Sequence, residues 1–243
     1  MSDSKDTLYR DAKGNTKPFE FDENVVAVFP DMIKRSVPGY PLTIAMMGVI
    51  ADKYFQPGSN VYDLGCSLGA VSFAVQQSVR DENCHIIAVD NSEAMIQTCL
   101  EAIPVQQDKQ TIEFRCENIQ DTKIENASII IMNFTLQFIP LTQRQAVLER
   151  IYASLLPGGV LVLSEKLNFN STFENDMMIT LHHHMKGLNG YDELEIAGKR
   201  DALEAVLLPE SIETHQTRLK QAGFANTLVW LRCFNFASIL AFK

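Results

Sequence analysis

The strongest constraint on the fold is a regular alternation of short apolar runs with helical segments, which begins at residue 60. Strands that alternate with helices of this length are typical of a doubly wound, mainly parallel α/β sheet. An isoleucine-rich run at 127–132 predicts a strand that is buried on both faces. The alternation predicts strands at 60–64, 84–89, 111–115, 127–132 and 160–164, and helices at 70–79, 93–101 and 142–156.

Segments on either side of the alternation complete the predicted architecture. Two strands at 227–230 and 236–242 are joined too closely for a helical crossover, so we expect them to be antiparallel. A Pro-Gly pair at 38–39 predicts a turn between two N-terminal helices. Further helices are expected at 23–35, 42–53 and 211–221, and the segment 173–209 is predicted to be mostly helical.

Residues 19–243 are expected to form one domain. The chain has 243 residues, of which 46% are hydrophobic, so it can bury a sizeable core. Within the domain, 19–55 would form the N-terminal helices, and 165–210 would form a helical insertion after the fifth strand. Residues 1–18 are polar, and we expect them to be a flexible N-terminus.

The charge of the chain limits the classes of partner. The formal net charge is −9 and the isoelectric point is about 5.0. No run of lysine and arginine is longer than a pair, and an acidic chain without a basic patch repels a phosphate backbone. We therefore expect no direct contact with nucleic acid. An anionic small substrate stays open, because one or two buried arginines can hold it.

Cysteine content and hydropathy predict the compartment. The five cysteines are an odd number and include no Cys-x-x-Cys pair, which favours reduced thiols over a disulfide framework or a structural zinc site. No apolar run approaches the ~20 residues that span a bilayer. The polar N-terminus also lacks the apolar stretch of a secretory signal. These features predict a cytoplasmic protein that does not bind membranes.

Polar groups that suit a nucleoside follow four consecutive strands. Ligands of open parallel sheets bind beyond the carboxyl ends of the strands. Glycines in the turn 65–69 let the backbone approach a ligand, and the carboxylate of Asp90 can accept hydrogen bonds from ribose hydroxyls. An amide and an apolar side chain after the third strand can frame a purine ring. The candidate contacts are Gly65, Cys66, Ser67, Asp90, Asn91, Asn118, Ile119 and Asn133.

Several ligand classes compete for the turn at 65–69. A dinucleotide fold requires a glycine where this chain has Ser67, and a P-loop requires a Gly-Lys-Ser/Thr sequence that is absent. The turn also matches the G-x-S-x-G nucleophile elbow, although it comes early in the sheet for that fold. S-adenosylmethionine has no pyrophosphate, so it requires only a close backbone and a ribose carboxylate. The candidate bases for a serine nucleophile are His182, His183, His184 and His215.

Longer motifs extend over nearly the whole chain. They are VFPDMI at 28–33, RSVPGY at 35–40, VYDLGCS at 61–67, NFTLQF at 133–138, LSEK at 163–166, NGY at 189–191 and CFNF at 233–236. Together they resemble the carboxy-S-adenosylmethionine synthase family. The D-L-G-x-x-x-G turn, Asp90, the L-L-P-G-G lead into the fifth strand and the antiparallel terminal strands resemble class I methyltransferases in general. This resemblance implies a seven-stranded sheet of that type with N-terminal lid helices.

The resemblance also implies a reaction. Members of the family convert S-adenosylmethionine and prephenate into carboxy-S-adenosylmethionine and phenylpyruvate, through a sulfonium ylide that captures carbon dioxide. Their product supplies a tRNA carboxymethyltransferase that modifies a wobble uridine. For this chain, the resemblance implies a homodimer that uses S-adenosylmethionine as a substrate and needs no metal.

Site residues are carried over onto matching positions. By resemblance, Tyr40 is a lid residue and Arg200 holds the new carboxylate, a task that suits the planar fork of a guanidinium. Asn118 departs from the family pattern, in which we expect Asp, so its NH2 group must find another partner. Without the family, Arg200 is a helical residue flanked by acids on a solvated face, and Tyr40 is a packing residue. The glycine-turn, ribose and Asn133 contacts named above match the family as well.

Two other functions and one metal site stay open on the sequence. The protein can be an ordinary methyltransferase for a small acidic acceptor, or a module that sequesters S-adenosylmethionine without turnover. The three consecutive histidines suggest a metal site. Adjacent helical residues point in different directions, so three in a row cannot converge on one ion, and we favour helix packing.

Overall fold

The apolar runs of the alternation form the strands of a single seven-stranded sheet. The structure is a computed structural model that describes residues 5–9, 19–102, 111–204 and 206–243. The strands are β1 (Asn60–Leu64), β2 (His85–Asp90), β3 (Thr111–Cys116), β4 (Ala127–Asn133), β5 (Leu155–Lys166), β6 (Asn226–Cys233) and β7 (Phe236–Phe242). Their order is β3-β2-β1-β4-β5-β7-β6. Strands β1 to β5 are parallel, and β7 runs antiparallel to both β5 and β6. The predicted antiparallel pairing of the two terminal strands is confirmed.

Helices lie between most of the strands, and their ends are set by local capping. The side chains of Asp22, Ser171 and Ser211 accept hydrogen bonds from backbone N–H groups in the first turns of three helices, and Ser92 does the same for a fourth. The helices are α1 (Glu23–Ser36), α2 (Tyr40–Tyr54), α3 (Ala70–Ser78), α4 (Glu93–Ala102), α5 (Leu141–Ser154), α6 (Thr172–Leu188), α7 (Glu193–Glu204) and α8 (Ile212–Ala222).

The core consists of two main layers, one on each face of the sheet. Ile130 of β4 belongs to a cluster with residues of α5 and α8, whereas Ile129 belongs to a cluster with residues of α2 and α3. Both isoleucines are fully buried. The prediction that this strand is buried on both faces is therefore confirmed, and so is the doubly wound arrangement.

The start of β5 differs from the prediction. We expected a helix to 156 and a strand from 160, but α5 ends at Ser154 and the Pro157-Gly158-Gly159 turn lies within the strand. Leu155 pairs with Ala127 and Val160 pairs with Ile129, so the additional residues form an irregularity in the ladder. The backbone groups of this turn are satisfied by the C-terminus, because Gly158 N donates to Lys243 O (3.1 Å) and Lys243 N donates to Gly159 O (3.0 Å).

Part of the N-terminal segment packs against the domain. Of the segment 1–18, the structure describes 5–9, and the rest lies outside the described residues. Asp6 is 1% exposed, and its carboxylate accepts hydrogen bonds from Tyr191 Oη (2.5 Å) and Lys199 Nζ (3.5 Å). Residues 5–9 therefore differ from the flexible N-terminus that we predicted, because a buried ammonium group needs a counter-charge.

The helical insertion consists of α6 and α7, which follow β5 and precede α8. A single bridge between Leu167 and Glu210 connects its two ends. Across the described ranges, no helix combines the length and the apolar character that crossing a membrane requires.

Candidate active site

A cavity of about 620 Å³ lies beyond the carboxyl ends of β1, β2 and β4. From β1 the chain first builds β2 and β3 on one side and then crosses to β4 on the other, so β1 and β4 flank the switch point of the sheet. The volume lies within the range of ~300–1,000 Å³ that small-molecule sites occupy. All ten residues proposed from the sequence line this cavity: Tyr40, Gly65, Cys66, Ser67, Asp90, Asn91, Asn118, Ile119, Asn133 and Arg200.

The turn after β1 is fixed by backbone contacts. Gly65 has φ +87°, and a Cβ atom there would lie 2.3 Å from Thr135 Oγ1. The backbone N–H groups of Gly65 and Cys66 both donate to Val89 O, at 2.7 and 2.9 Å. Ser67 has φ +48°. Glycine at 65 is therefore required by both conformation and space, and the turn exposes its backbone to the cavity.

Asp90 supports this turn from the end of β2. Its Oδ2 accepts from Ser67 N (2.9 Å) and its Oδ1 accepts from Ser92 N (2.9 Å). Burial raises the pKa of Asp90, and the backbone hydrogen bonds oppose that shift. Each carboxylate oxygen has a second lone pair, so Asp90 can also accept hydrogen bonds from vicinal hydroxyls of a ligand.

Asn133 presents an acceptor without a partner. It lies at the end of β4, and its Oδ1 atom is buried and accepts no hydrogen bond within the described part of the chain. Such an orphan acceptor costs about 1–3 kcal/mol. A ligand that carries an ammonium group would satisfy it, and the amino-acid end of S-adenosylmethionine carries one. The residues present therefore fit that ligand.

Asn118 is tied to its neighbours on both sides. Its Nδ2 atom donates to Asp121 Oδ2 (3.3 Å), and its Oδ1 atom accepts from Asn91 Nδ2 (3.3 Å). The sequence raised the question of which group would take up the NH2 of an asparagine at this position, and the structure identifies Asp121. Ile119, 8% exposed, adds an apolar wall beside it.

Tyr40 begins α2 directly after Gly39, whose φ of +73° makes the predicted turn. Burial raises the pKa of the Tyr40 hydroxyl, and the nearby charge of Asp63 raises it further. Asp63 is 1% exposed, its pKa is raised to about 7 by burial, and it accepts from Ser72 N and Ser72 Oγ. Tyr40 is therefore neutral, and it joins residues of α1 in covering the cavity.

Arg200 lies on α7, where the cavity meets solvent. Its side chain is 62% exposed and forms an ion pair with the adjacent Asp201 (2.9 Å). Arg200 therefore lies on a solvated helix face, as the residues alone suggested, and also at the cavity, as the family resemblance implies. An arginine in this place can turn towards a carboxylate in the cavity without first leaving a buried partner.

Basic residues of β5, α6 and α7 also line the cavity, and the three lysines among them were not predicted from the sequence. Lys166 is the last residue of β5, and the rule that ligands bind at strand ends was sufficient to find it. The others lie on α6 and α7, and only the packing of the insertion brings them to the cavity. The missed residues are Lys166, Lys186 and Lys199, and the cavity is also lined by His182 and His183, which the sequence suggested only as bases for a serine nucleophile or as metal ligands.

Two of the candidate histidines, His182 and His215, are held in the packed interior of the protein. His182 Nε2 hydrogen-bonds Ser36 O (2.8 Å), and its ring packs on Phe236 at 5.0 Å between centroids. His215 is fully buried in the core, and neither ring nitrogen has a partner among the residues described. No hydrogen bond in the described part of the chain joins Ser67 to a histidine. Over the same ranges, no three His, Cys, Asp or Glu residues converge as metal ligands.

Comparison with known proteins identifies relatives of this chain. The family model for a methyltransferase domain matches residues 61–159. Carboxy-S-adenosyl-L-methionine synthase of Pseudoalteromonas translucida is 51% identical over 98% of this chain and 99% of its own length. The enzyme of the same name from Trichlorobacter lovleyi is 51% identical over the full length of both chains.

Solved structures show the same architecture at much lower sequence identity. A SAM-dependent methyltransferase of Methanosarcina mazei superimposes with a TM-score of 0.56 at 16% identity, over 80% of this chain and 96% of its own. That likeness shows the fold, and the full-length identity of the synthases shows the family. The chain therefore belongs to the carboxy-S-adenosyl-L-methionine synthase family and is an S-adenosylmethionine-dependent enzyme with the class I methyltransferase fold.

Proposed function

We propose that the protein converts S-adenosylmethionine and prephenate into carboxy-S-adenosylmethionine and phenylpyruvate. The observation that carries this proposal is the 51% identity to synthases over the full length of the chain. The cavity agrees with it, because it is lined both by nucleoside-compatible groups at the strand ends and by basic groups of β5, α6 and α7.

Each predicted contact has a task in this proposal. Asp90 and Asn91 hold the ribose hydroxyls, and Asn133 accepts from the ammonium group of the methionine end. Asn118 and Ile119 frame the adenine, and the turn at 65–67 approaches the methionine end with its backbone. Tyr40 closes the site from α2, and Arg200 turns from solvent to the new carboxylate.

The reaction balances without a nucleophilic side chain. Prephenate loses its ring carboxylate as carbon dioxide and its ring hydroxyl as hydroxide, and its ring becomes the aromatic ring of phenylpyruvate. The hydroxide takes one proton from the methyl group on the sulfonium and becomes water. The resulting ylide carbon forms a bond to carbon dioxide. The protein holds the reactants together and excludes water.

The route of the product and the assembly state also belong to the proposal. The acidic charge of −9 suits an enzyme that passes its product to a tRNA carboxymethyltransferase and does not touch the RNA itself. Five free cysteines agree with a cytoplasmic location. A homodimer is supported by an apolar stripe on α6, where Phe173, Met177 and Leu181 are 76%, 42% and 38% exposed.

A product assay tests the reaction. Purified protein incubated with S-adenosylmethionine and prephenate should raise the mass of the nucleoside by one carbon dioxide, and it should release phenylpyruvate in equal amount. Formation of S-adenosylhomocysteine with a methylated acid, independent of prephenate, would instead establish an ordinary methyltransferase. Saturable S-adenosylmethionine binding with no product of either kind would establish a sequestering module.

A further inference from the structure

Three lysines from different elements meet at one side of the cavity. Lys166 comes from β5, Lys186 from α6 and Lys199 from α7, and all three line the cavity wall. Their charges act on one another, because Lys199 and Lys166 both lower the pKa of Lys186. We refer to these three residues as the lysine corner.

Of the three ammonium groups in the lysine corner, only that of Lys199 forms an ion pair with a carboxylate of the described residues. Asp6 accepts a hydrogen bond from Lys199 Nζ (3.5 Å), and Asp31 is paired with Arg35 (3.0 Å). Ser36 Oγ also accepts from Lys199, at 3.2 Å. Each of the two carboxylates therefore has its own cation.

Lys186 and Lys166 form no ion pair within the described ranges, although the charge of Asp6 also acts on Lys186 from beyond contact distance. Lys186 is 6% exposed, and its ammonium group has no hydrogen bond or ion pair within the described ranges. Its nearest aromatic contact is the Tyr191 ring, with 5.9 Å between Nζ and the centroid. Lys166 is half-buried, and the part of the chain that the structure describes offers its Nζ no carboxylate. A buried, unpaired charge is costly unless a ligand neutralises it.

The groups around these two ammonium groups do not supply an anion. His182 and His183 lie on the same helix as Lys186, and burial lowers the pKa of both, so both are neutral. Phe236 pairs with Lys166 in the ladder between β7 and β5 and packs against His182 and Phe134. Neutral and aromatic side chains therefore border part of the space beside the two ammonium groups.

We propose that Lys186 and Lys166 bind the two carboxylates of the second substrate, with its ring against Phe236. The ligand class is a dicarboxylate with an apolar ring, and this inference rests on the proposed function, in which prephenate is that ligand. The cavity is then divided by charge. The cationic S-adenosylmethionine lies at Asp90 and Asn133, and the dianion lies at the lysine corner.

Binding of prephenate without turnover tests the subsite. The protein is saturated with S-adenosylhomocysteine, which has no methyl group to react, and prephenate is titrated by calorimetry. Lys186→Gln and Lys166→Gln should each weaken prephenate binding by at least about tenfold, since each loses a charge-assisted contact. Lys220→Gln removes an exposed lysine on α8 and should leave the affinity unchanged.

Two further readouts separate this role from a structural one. Affinity for S-adenosylhomocysteine should stay within about twofold in both variants, because the lysines lie away from the nucleoside groups. Ligand-free Lys186→Gln should unfold at the same temperature as the wild type or higher, because it loses an uncompensated buried charge. If Lys186→Gln does not fold, the half-buried Lys166→Gln decides the matter.

Failure of the subsite differs from failure of the proposed function. Unchanged prephenate affinity in both folded variants would overturn the lysine corner as a subsite, even if the wild type makes carboxy-S-adenosylmethionine. Lysine-dependent binding of prephenate, and of malonate as a plain dicarboxylate probe, in a protein that makes no such product would support the subsite and contradict the proposed reaction.

Discussion

Gly65 is restricted to glycine both by its backbone conformation and by the space around its Cα atom. A Cβ atom there would lie 2.3 Å from Thr135 Oγ1, at a φ of +87° that L-residues rarely adopt. We expect Gly65→Ala to weaken S-adenosylmethionine binding by at least about tenfold, because the turn must shift away from the ligand. Gly58→Ala is the matched control, since Gly58 has φ +78° but open space around it. Equal affinities of the two variants in calorimetry would refute the spatial requirement.

The lowered pKa of Lys186 predicts that the free energy of unfolding depends on pH. Its pKa is lowered from 10.5 to about 7, by burial and then by the charges of Lys199 and Lys166. Between these values the unfolded chain binds more protons than the folded chain, so the free energy of unfolding should fall as the pH decreases from 10.5 to 7. Below that window the full destabilisation is present.

Lys186→Met isolates this contribution. In urea denaturation of the ligand-free protein, the variant should lose less free energy of unfolding than the wild type on going from about pH 9 to about pH 7. Lys199, whose pKa is lowered to about 8, contributes in the same direction in both proteins. Identical pH profiles would show that Lys186 is not the charged, unpaired group that we describe.

At the scale of elements, we expect the short N-terminal segment 5–9 to contribute substantially to the free energy of unfolding. Asp6 connects it to α7 through Lys199 and to the loop before α7 through Tyr191. Removing one partner of a buried ion pair leaves the other uncompensated, so Asp6→Ala should reduce the free energy of unfolding by about 3 kcal/mol. Glu125→Ala removes an exposed pair with Lys123 and should change it little. Urea denaturation in which the two variants behave alike would contradict the packed N-terminus.

Strands and helices were predictable where the information is local. β1 and β7 begin and end as predicted, because polar or turn-forming residues flank both strands. The start of β5 was not predictable, because the Pro157-Gly158-Gly159 backbone takes its partners from Lys243 at the other end of the domain.

The same distinction applies to the candidate site. Its nucleoside side could be read from the ends of four successive strands, since the topology of a parallel sheet brings those ends together. The lysine corner could not, because Lys186 and Lys199 reach the cavity only through the packing of α6, α7 and segment 5–9. An insertion of this kind has no topological rule that fixes which of its faces meets the sheet.

For the whole molecule, assembly gives a prediction that depends on the exposed stripe of α6. Met177 is 42% exposed between Phe173 and Leu181 on successive turns. If this stripe is the dimer interface, Met177→Glu should convert a dimer into a monomer in sedimentation velocity. Leu228→Glu, on β6 and 55% exposed, is the control and should leave the dimer intact. A wild-type monomer would contradict the homodimer.

The central claim is that the methyl carbon stays on sulfur and gains a carboxylate at the cavity between β1 and β4. The most direct measurement is mass spectrometry of the nucleoside after reaction of S-adenosylmethionine with a fully deuterated methyl group and prephenate labelled with carbon-13 in its ring carboxylate. The account predicts carboxy-S-adenosylmethionine that keeps two of the three deuterium atoms and carries the label. S-adenosylhomocysteine together with an acceptor that carries all three deuterium atoms would contradict it.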